Sequence, residues 1–281
     1  MVTAVEGRDA IAGSRPSRFS DVRRVEVTGS TNTDVLELAR QGAPEGVVVV
    51  ADQQTAGRGR AGRSWTAPPG ASLLCTMLLR PPASVASLAT FALAVAAAEA
   101  VEELSAVRPG LKWPNDLVIE SDGRTRKLAG ILAEAEWPAA AHAAIGFREP
   151  AAHARATVAA GIGVNVDWPD ELPDELAEIA VSIAQVSDRV PSRDRLLEVL
   201  LERFDRSYGA LCGDDGGRVL DRWRDRSVTL GRRVRVDLGG EEIEGTATDI
   251  TASGHLLVEE GGSGTIREFA VGDVVHLRPT A

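Results

Sequence analysis

Lysine is almost missing from this chain: of 31 basic residues only Lys112 and Lys127 are lysines, and the rest are arginines. Asparagine is as scarce, found only at Asn32, Asn115 and Asn165. In so biased a sequence a lysine marks either chance or a place that needs a compact ammonium, because a guanidinium is a wide planar fork. Cysteine is limited to Cys75 and Cys212, which give neither a disulfide framework nor a zinc-ligand spacing. Such usage fits a reducing, cytoplasmic setting. An excess of positive charge is also lacking. The net charge of -10 argues against a protein that grips nucleic acid through a basic surface. Residues 1–20 contain no apolar signal core. The longest apolar stretch, Val85 to Leu104, carries Glu99, Glu102 and Glu103 and reads as a buried helix of a soluble protein. Neither internal repeats nor long low-complexity segments occur.

The 281 residues are enough for one large domain or two unequal ones. Residues 1–20 read as a flexible N-terminal arm without periodic pattern. A mixed region follows over 21–226. Strands are expected at Val22 to Val27, Gly46 to Ala51, Ser72 to Leu79, Leu117 to Glu120, Leu128 to Glu136 and Thr157 to Val166. Thr31-Asn-Thr-Asp34 has the pattern of a capping box ahead of a helix over Val35 to Arg40. Apolar spacing predicts helices over Arg193 to Leu211 and Val219 to Arg224. An alanine-rich insertion, 138–155, fits no element. After Ser227 the texture changes to five short alternating strands separated by glycines. That pattern predicts a small barrel over 227–281.

Four segments carry possible chemistry. In the loop from Gln54 to Trp65, Gly57, Gly59 and Gly62 satisfy G-x-G-x-x-G. A dinucleotide fingerprint would need them directly between a strand and a helix. Instead Asp52 to Ala56 intervene after the strand, and Pro68 and Pro69 oppose a long helix. The loop is left with Arg58, Arg60 and Arg63, suited either to a lid over an anion or to a solvated surface. Lys112-Trp-Pro-Asn-Asp116 offers a phosphate cation, with Asn115 and Asp116 as oxygen ligands for magnesium or ribose. It is equally ordinary turn chemistry. Lys127 opens the strand Arg126-Lys-Leu-Ala-Gly130. Gly161-Ile-Gly-Val-Asn165 allows close approach to a strand that ends in a polar side chain.

Together with Ser30-Thr-Asn32, these segments occur in an order and approximate spacing that resemble the biotin protein ligases, from about residue 25 to the C-terminus. The resemblance implies an α+β fold, with a mixed-sheet catalytic domain of the class II synthetase-like biotin/lipoate ligase type and a C-terminal SH3-like barrel. It implies biotin and ATP as substrates, Mg2+ as cofactor, and a biotin carboxyl carrier protein domain as acceptor. Ser30, Thr31, Asn32, Gln54 and backbone near Gly130 would then hold biotin. Arg58 would lie near its carboxylate, and Lys127 where that carboxylate meets the α-phosphate. Arg60, Arg63 and Trp65 would close over the adenylate. Lys112, Asn115 and Asn165 would meet the nucleotide, Asn165 also the magnesium, and Arg278 the adenine. Asp116 would act as base or orienter for the acceptor lysine. Residues 1–20 are too few for the helix-turn-helix domain of the repressor branch, so no DNA partner and no membrane partner are expected. The oligomeric state stays open between monomer and weak homodimer. Two other readings remain: a lipoate ligase of the same fold, and a non-catalytic sensor of biotinyl-adenylate.

The chemistry is self-consistent. Joining a carboxylate to a phosphate opposes two anions, and fixed cations offset that repulsion and the charge that grows on phosphorus. The substrate carboxylate is itself the nucleophile, which agrees with a sequence that has no Ser-His-Asp or Cys-His set.

Overall fold

A computed structural model of the chain describes residues 17–121, 123–137, 154–169, 174–213, 215–262, 264–270 and 272–277. Most of the 138–155 insertion and Arg278 therefore lie outside the described residues.

Seven strands form the first sheet: β1 (Asp21–Thr28), β2 (Val47–Gln54), β3 (Ser72–Leu79), β4 (Gly110–Lys112), β5 (Asp116–Ser121), β6 (Arg124–Glu136) and β7 (Thr157–Asn165). Their spatial order is β1-β2-β3-β7-β6-β5-β4. β1 runs parallel to β2, and every other neighbouring pair is antiparallel, so the sheet is mixed. Period-two alternation sorts each strand between two faces. Leu73, Cys75, Met77 and Leu79 of β3 face one way, with Ala160, Ile162 and Val164 of β7. Over them lies the main core. It is built with α2 (Ala89–Ser105), α4 (Arg193–Cys212) and α5 (Gly216–Arg224). The opposite face carries α1 (Thr31–Arg40), whose Val35, Leu36 and Ala39 pack on Val47, Val49, Leu78 and Ala159.

The segment 83–105, which includes α2, is apolar enough by length and composition to cross a membrane, but 72% of its 18-residue apolar window is buried inside the protein. Its alanines let it lie close against the sheet, and none of Ala92, Val95, Ala96 or Ala98 exceeds 1% exposure. It is a core helix, as the three glutamates on it indicated. A short helix, α3 (Asp174–Ile179), follows β7.

Beyond α5, β8 (Arg233–Asp237), β9 (Glu242–Ile250), β10 (Leu256–Glu260), β11 (Ile266–Phe269) and β12 (Asp273–His276) make a second, fully antiparallel sheet. Its order is β11-β10-β9-β8-β12. The fold is thus α+β, a mixed sheet followed by a small all-β unit of the SH3-like kind.

Three expectations are corrected. The capping box is not made: α1 begins at Thr31 with Ser30 as an N-cap that forms no side-chain cap bond. The threonine hydroxyl is engaged elsewhere, as described below. The folded body also starts before residue 21. Phe19 is 2% exposed and stacks on Phe204 with ring centroids 5.2 Å apart. Finally, β4 and α3 were not foreseen. β4 has three residues, and it is held by pairing with β5 and by a bridge between Leu111 and Ser227.

Candidate active site

On the α1 face of the first sheet the alternation places Gly130, Leu132 and Glu134 of β6 beside Gly163, Gly161 and Ala159 of β7, registered pair by pair. Gly130 and Gly163 form a floor without side chains. The Trp65 indole lies on that floor: a Cβ added at Gly163 would fall 2.7 Å from its Cε2, and one at Gly130 2.9 Å from its Cζ3. Gly161 makes room for a different group, since a Cβ there would meet Asn32 Oδ1 at 2.0 Å.

One wall is the start of α1. The Thr31 N–H donates to Gln54 Oε1 at 2.8 Å, and Thr31 Oγ1 lies 2.8 Å from Thr76 Oγ1. The Thr76 hydroxyl donates to Asn32 Oδ1 at 2.7 Å. The Asn32 amide donates to Leu132 O at 3.0 Å and to Glu134 Oε2 at 2.8 Å. Buried side-chain amides are costly unless satisfied, and Asn32 is satisfied by protein alone. It straps α1 to β3 and β6, and so fixes where Ser30 and Thr31 stand.

The arginine–glycine loop is the opposite wall. Gly59 N–H donates to Arg63 O at 2.6 Å and Trp65 N–H to Gly57 O at 2.9 Å, so 57–65 is a narrow hairpin. Its tip turns through Ala61 and Gly62, both with positive φ. The three arginines diverge from this hairpin. Arg58 pairs with Glu134 Oε2 at 2.8 Å and donates to Thr33 Oγ1 at 3.1 Å. Arg63 reaches β12 and pairs with Asp273 at 2.8 Å. Arg60 turns inward, where its Nη1 is buried without a hydrogen-bond partner. Burial chiefly, and Arg63 nearby, lower its pKa against the pull of Asp273 and Asp116.

The third wall carries both lysines. Lys127 Nζ lies 2.6 Å from Asp116 Oδ1 and 5.4 Å from the centre of the Trp65 ring. Lys112 is held below the ordinary lysine range, first by burial and then by Lys127 and Arg63, with Asp116 and Asp273 opposing. A low pKa next to other cations marks a site built for anions. Asn165 donates its amide to Val181 O at 3.1 Å and to Lys127 O at 3.3 Å, which leaves its Oδ1 buried and unpartnered.

These walls enclose a cavity of about 550 Å³, within the range of small-molecule sites. Ser30, Thr31, Asn32, Gln54, Arg58, Arg60, Arg63, Trp65, Lys112, Asn115, Asp116, Lys127, Gly130 and Asn165 all line it. Arg278 lies outside the described residues. Asn115 is a strap as well as a lining residue. Its amide donates to Ile131 O at 2.7 Å, and its carbonyl accepts from Ile131 N at 3.0 Å. The sequence reading passed over Glu134, Thr76 and Asp273. Counting two and four residues on from Gly130 along β6 would have put Glu134 on the site face. Asp273 had no such signal.

Comparison with known proteins places this arrangement. The biotin–[acetyl-CoA-carboxylase] ligase of Mycobacterium tuberculosis is 36% identical over 96% of this chain and 94% of its own length. The chain belongs to the biotin protein ligase family. The Biotin/lipoate A/B protein ligase family model matches residues 25–147 of this ligase, and the Biotin protein ligase C terminal domain model residues 229–277. The bifunctional ligase/repressor BirA of Bacillus subtilis is 32% identical over 83% of this ligase and 68% of its own length. Among solved structures, the Aquifex aeolicus biotin protein ligase in complex with biotin and ATP superposes with a TM-score of 0.71. It is 24% identical and covers 92% of this ligase and 100% of its own chain, a likeness of fold.

Proposed function

We propose that this ligase activates biotin with ATP and transfers it to a lysine of a biotin carboxyl carrier domain in a biotin-dependent carboxylase. The observation that carries the reading is the convergence of Lys112, Lys127, Arg60 and Arg63 on one end of a cavity whose floor is the Gly130–Gly163 pair.

In the first step a biotin carboxylate oxygen attacks the α-phosphorus of ATP. The bond to the bridging oxygen breaks, pyrophosphate leaves, and biotinyl-5'-AMP remains. The bicyclic head of biotin lies toward Ser30, Thr31 and Gln54, whose polar atoms suit a ureido group. The backbone beside Gly130 completes that set. Its carboxylate then reaches Lys127, and Arg58 and Trp65 close over the junction. Lys112, Arg60 and Arg63 take the phosphates. Positive charge fixed before reaction lowers the barrier without reorganisation. In the second step the acceptor amine attacks the carbonyl carbon and AMP leaves. Asp116, beside Lys127, orients that amine or takes its proton.

The donor set fits a magnesium ion carried by ATP. Asn165 Oδ1 is a buried acceptor without a partner, and magnesium combines few protein oxygens with substrate phosphates. Arg278 is assigned to the adenine on the resemblance alone. We assign the catalytic domain to the residues up to 226, with Phe19 inside its core, and the barrel to 227–281, with the protein working in the cytoplasm.

The test is an acceptor assay. The ligase, biotin, magnesium-ATP and a carrier domain should give an acceptor heavier by one biotinyl group, with pyrophosphate released. Lipoate in place of biotin should give neither. Mass gain with lipoate alone would move the protein to the lipoate branch. Ligand binding without pyrophosphate would make it a sensor.

A further inference from the structure

Lys112 sits in the middle of the proposed nucleotide site, yet its strand, β4, has only three residues and lies at the edge of the sheet. Isolated from its neighbours, so short an edge strand has little of its own to hold a side chain in place. The structure shows what does. Leu111 N–H donates to Arg226 O at 2.8 Å, and Val228 N–H donates to Leu111 O at 2.9 Å. The next residue after Lys112 is tied twice to the C-terminal unit, outside its strands. Trp113 Nε1 donates to Gly254 O at 3.0 Å, and Trp113 N–H donates to Thr229 Oγ1 at 3.0 Å.

The second of these bonds continues into β12. Thr229 is 0% exposed, and its Oγ1 lies 3.3 Å from His276 Nε2. That oxygen accepts from Trp113, and the hydroxyl keeps both a proton and a second lone pair with which to meet the imidazole. Near His276 stand Lys112, Arg232 and Glu120. We propose that Thr229 and His276 are positioning residues for Lys112, a relay through which the C-terminal sheet sets the nucleotide-side cation of the adenylation site.

The chemistry suits the task. Burial first, then Lys112 and Arg232, push the His276 pKa down to about 4, so the ring is neutral at working pH. A neutral ring can share a hydrogen bond with the Thr229 hydroxyl without adding a charge to a site already rich in cations. Neither residue touches the cavity; neither is among the side chains that line it. Their effect therefore passes through the backbone of Trp113 to the residue before it.

The inference rests on the adenylation reading above, and the experiment separates the two. Biotin- and ATP-dependent pyrophosphate release by the unaltered ligase tests the reading; only the ratio of variant to parent tests the relay. Thr229→Val keeps the shape and removes the acceptor, leaving a buried N–H unpaired. Its kcat/KM for ATP should fall about tenfold, with biotin affinity by calorimetry within twofold of the parent. Thr229→Ser, which keeps the oxygen, should stay within twofold in both. His276→Gln, a second probe should Thr229→Val not fold, should raise KM for ATP several-fold and leave biotin affinity alone. Full activity of Thr229→Val, or of His276→Gln where the valine variant does not fold, overturns the proposal. So does an equal loss of ATP and biotin binding, because that would be a general loosening of the fold.

Discussion

Replacing Lys127 by alanine should nearly abolish adenylate formation while leaving the protein folded, and both halves follow from the structure. The backbone of Lys127 is secured without its side chain. Val181 N–H donates to Lys127 O at 2.9 Å, and the Asn165 amide reaches the same oxygen. The side chain itself is 33% exposed and pairs with a single carboxylate, Asp116. A single pair about one-third open to solvent contributes on the order of 1 kcal/mol to stability, a fall in the unfolding midpoint of roughly 2–4 °C for a chain of this size. The reaction has more to lose. On the proposed mechanism Nζ is the preorganised cation at the point where the carboxylate approaches phosphorus. Removing one such group costs about 2.7–4 kcal/mol, or roughly two to three orders of magnitude in rate. Pyrophosphate release at saturating biotin and ATP, set beside a thermal melt, measures both. Release within threefold of the parent would falsify the assignment. A midpoint lowered by more than about 10 °C would make Lys127 a structural residue, because no exposed pair accounts for so large a loss.

Three further outcomes are expected. Gly163→Ala would bring a methyl group to 2.7 Å from the Trp65 ring; the ring rides on a loop and can yield, so biotin affinity should drop at least tenfold by calorimetry with little change in melting, and unchanged affinity would separate Trp65 from the ligand floor. Arg60→Gly removes a half-buried cation whose Nη1 has no protein partner, so labelled acyl-adenylate formed in place should escape faster in a chase experiment, and an unaltered escape rate would deny Arg60 a retaining role. His276 is held neutral down to about pH 4 in the fold, against an ordinary value of 6.5. The unfolded chain therefore binds the extra proton in that window, and stability should decline as pH falls from 6.5 toward 4. His276→Gln should flatten this decline in midpoints measured across the window, and parallel curves would refute the burial argument.

Much of this was legible because local pattern and tertiary role agree. Strand β3 spans Ser72–Leu79 in both sequence and structure, since eight apolar or small residues are buried on both faces of a central strand. The lysines stood out because arginine had replaced lysine everywhere else. What escaped was set by distance in sequence. Nothing near Asp273 announces that it meets Arg63, which lies 210 positions away. The capping box failed for a related reason. Thr31 had the right local chemistry to cap a helix, but Gln54 and Thr76 compete for the same atoms. Asn32 was read as a ligand contact because the strands that consume its amide cannot be seen from its own neighbours in the chain.

Three of the five cations that line the cavity are paired with protein carboxylates: Arg58 with Glu134, Arg63 with Asp273 and Lys127 with Asp116. Five positive groups around one cavity with no carboxylates beside them would repel one another and splay outward, and the rate advantage of fixed charge depends on their not doing so. The carboxylates offset that repulsion before any phosphate arrives. Lys112 depends on the same device without a direct pair, since Asp116 and Asp273 both raise its affinity for a proton while burial lowers it. Asp116 is thus shared between the two lysines. A carboxylate so placed offsets the repulsion between the two lysines. On the role proposed for Asp116, phosphate then takes over as counter-ion to the lysines and leaves the carboxylate free to face the incoming amine. One side chain, in that proposed role, both offsets the repulsion between the cations and serves the second half-reaction.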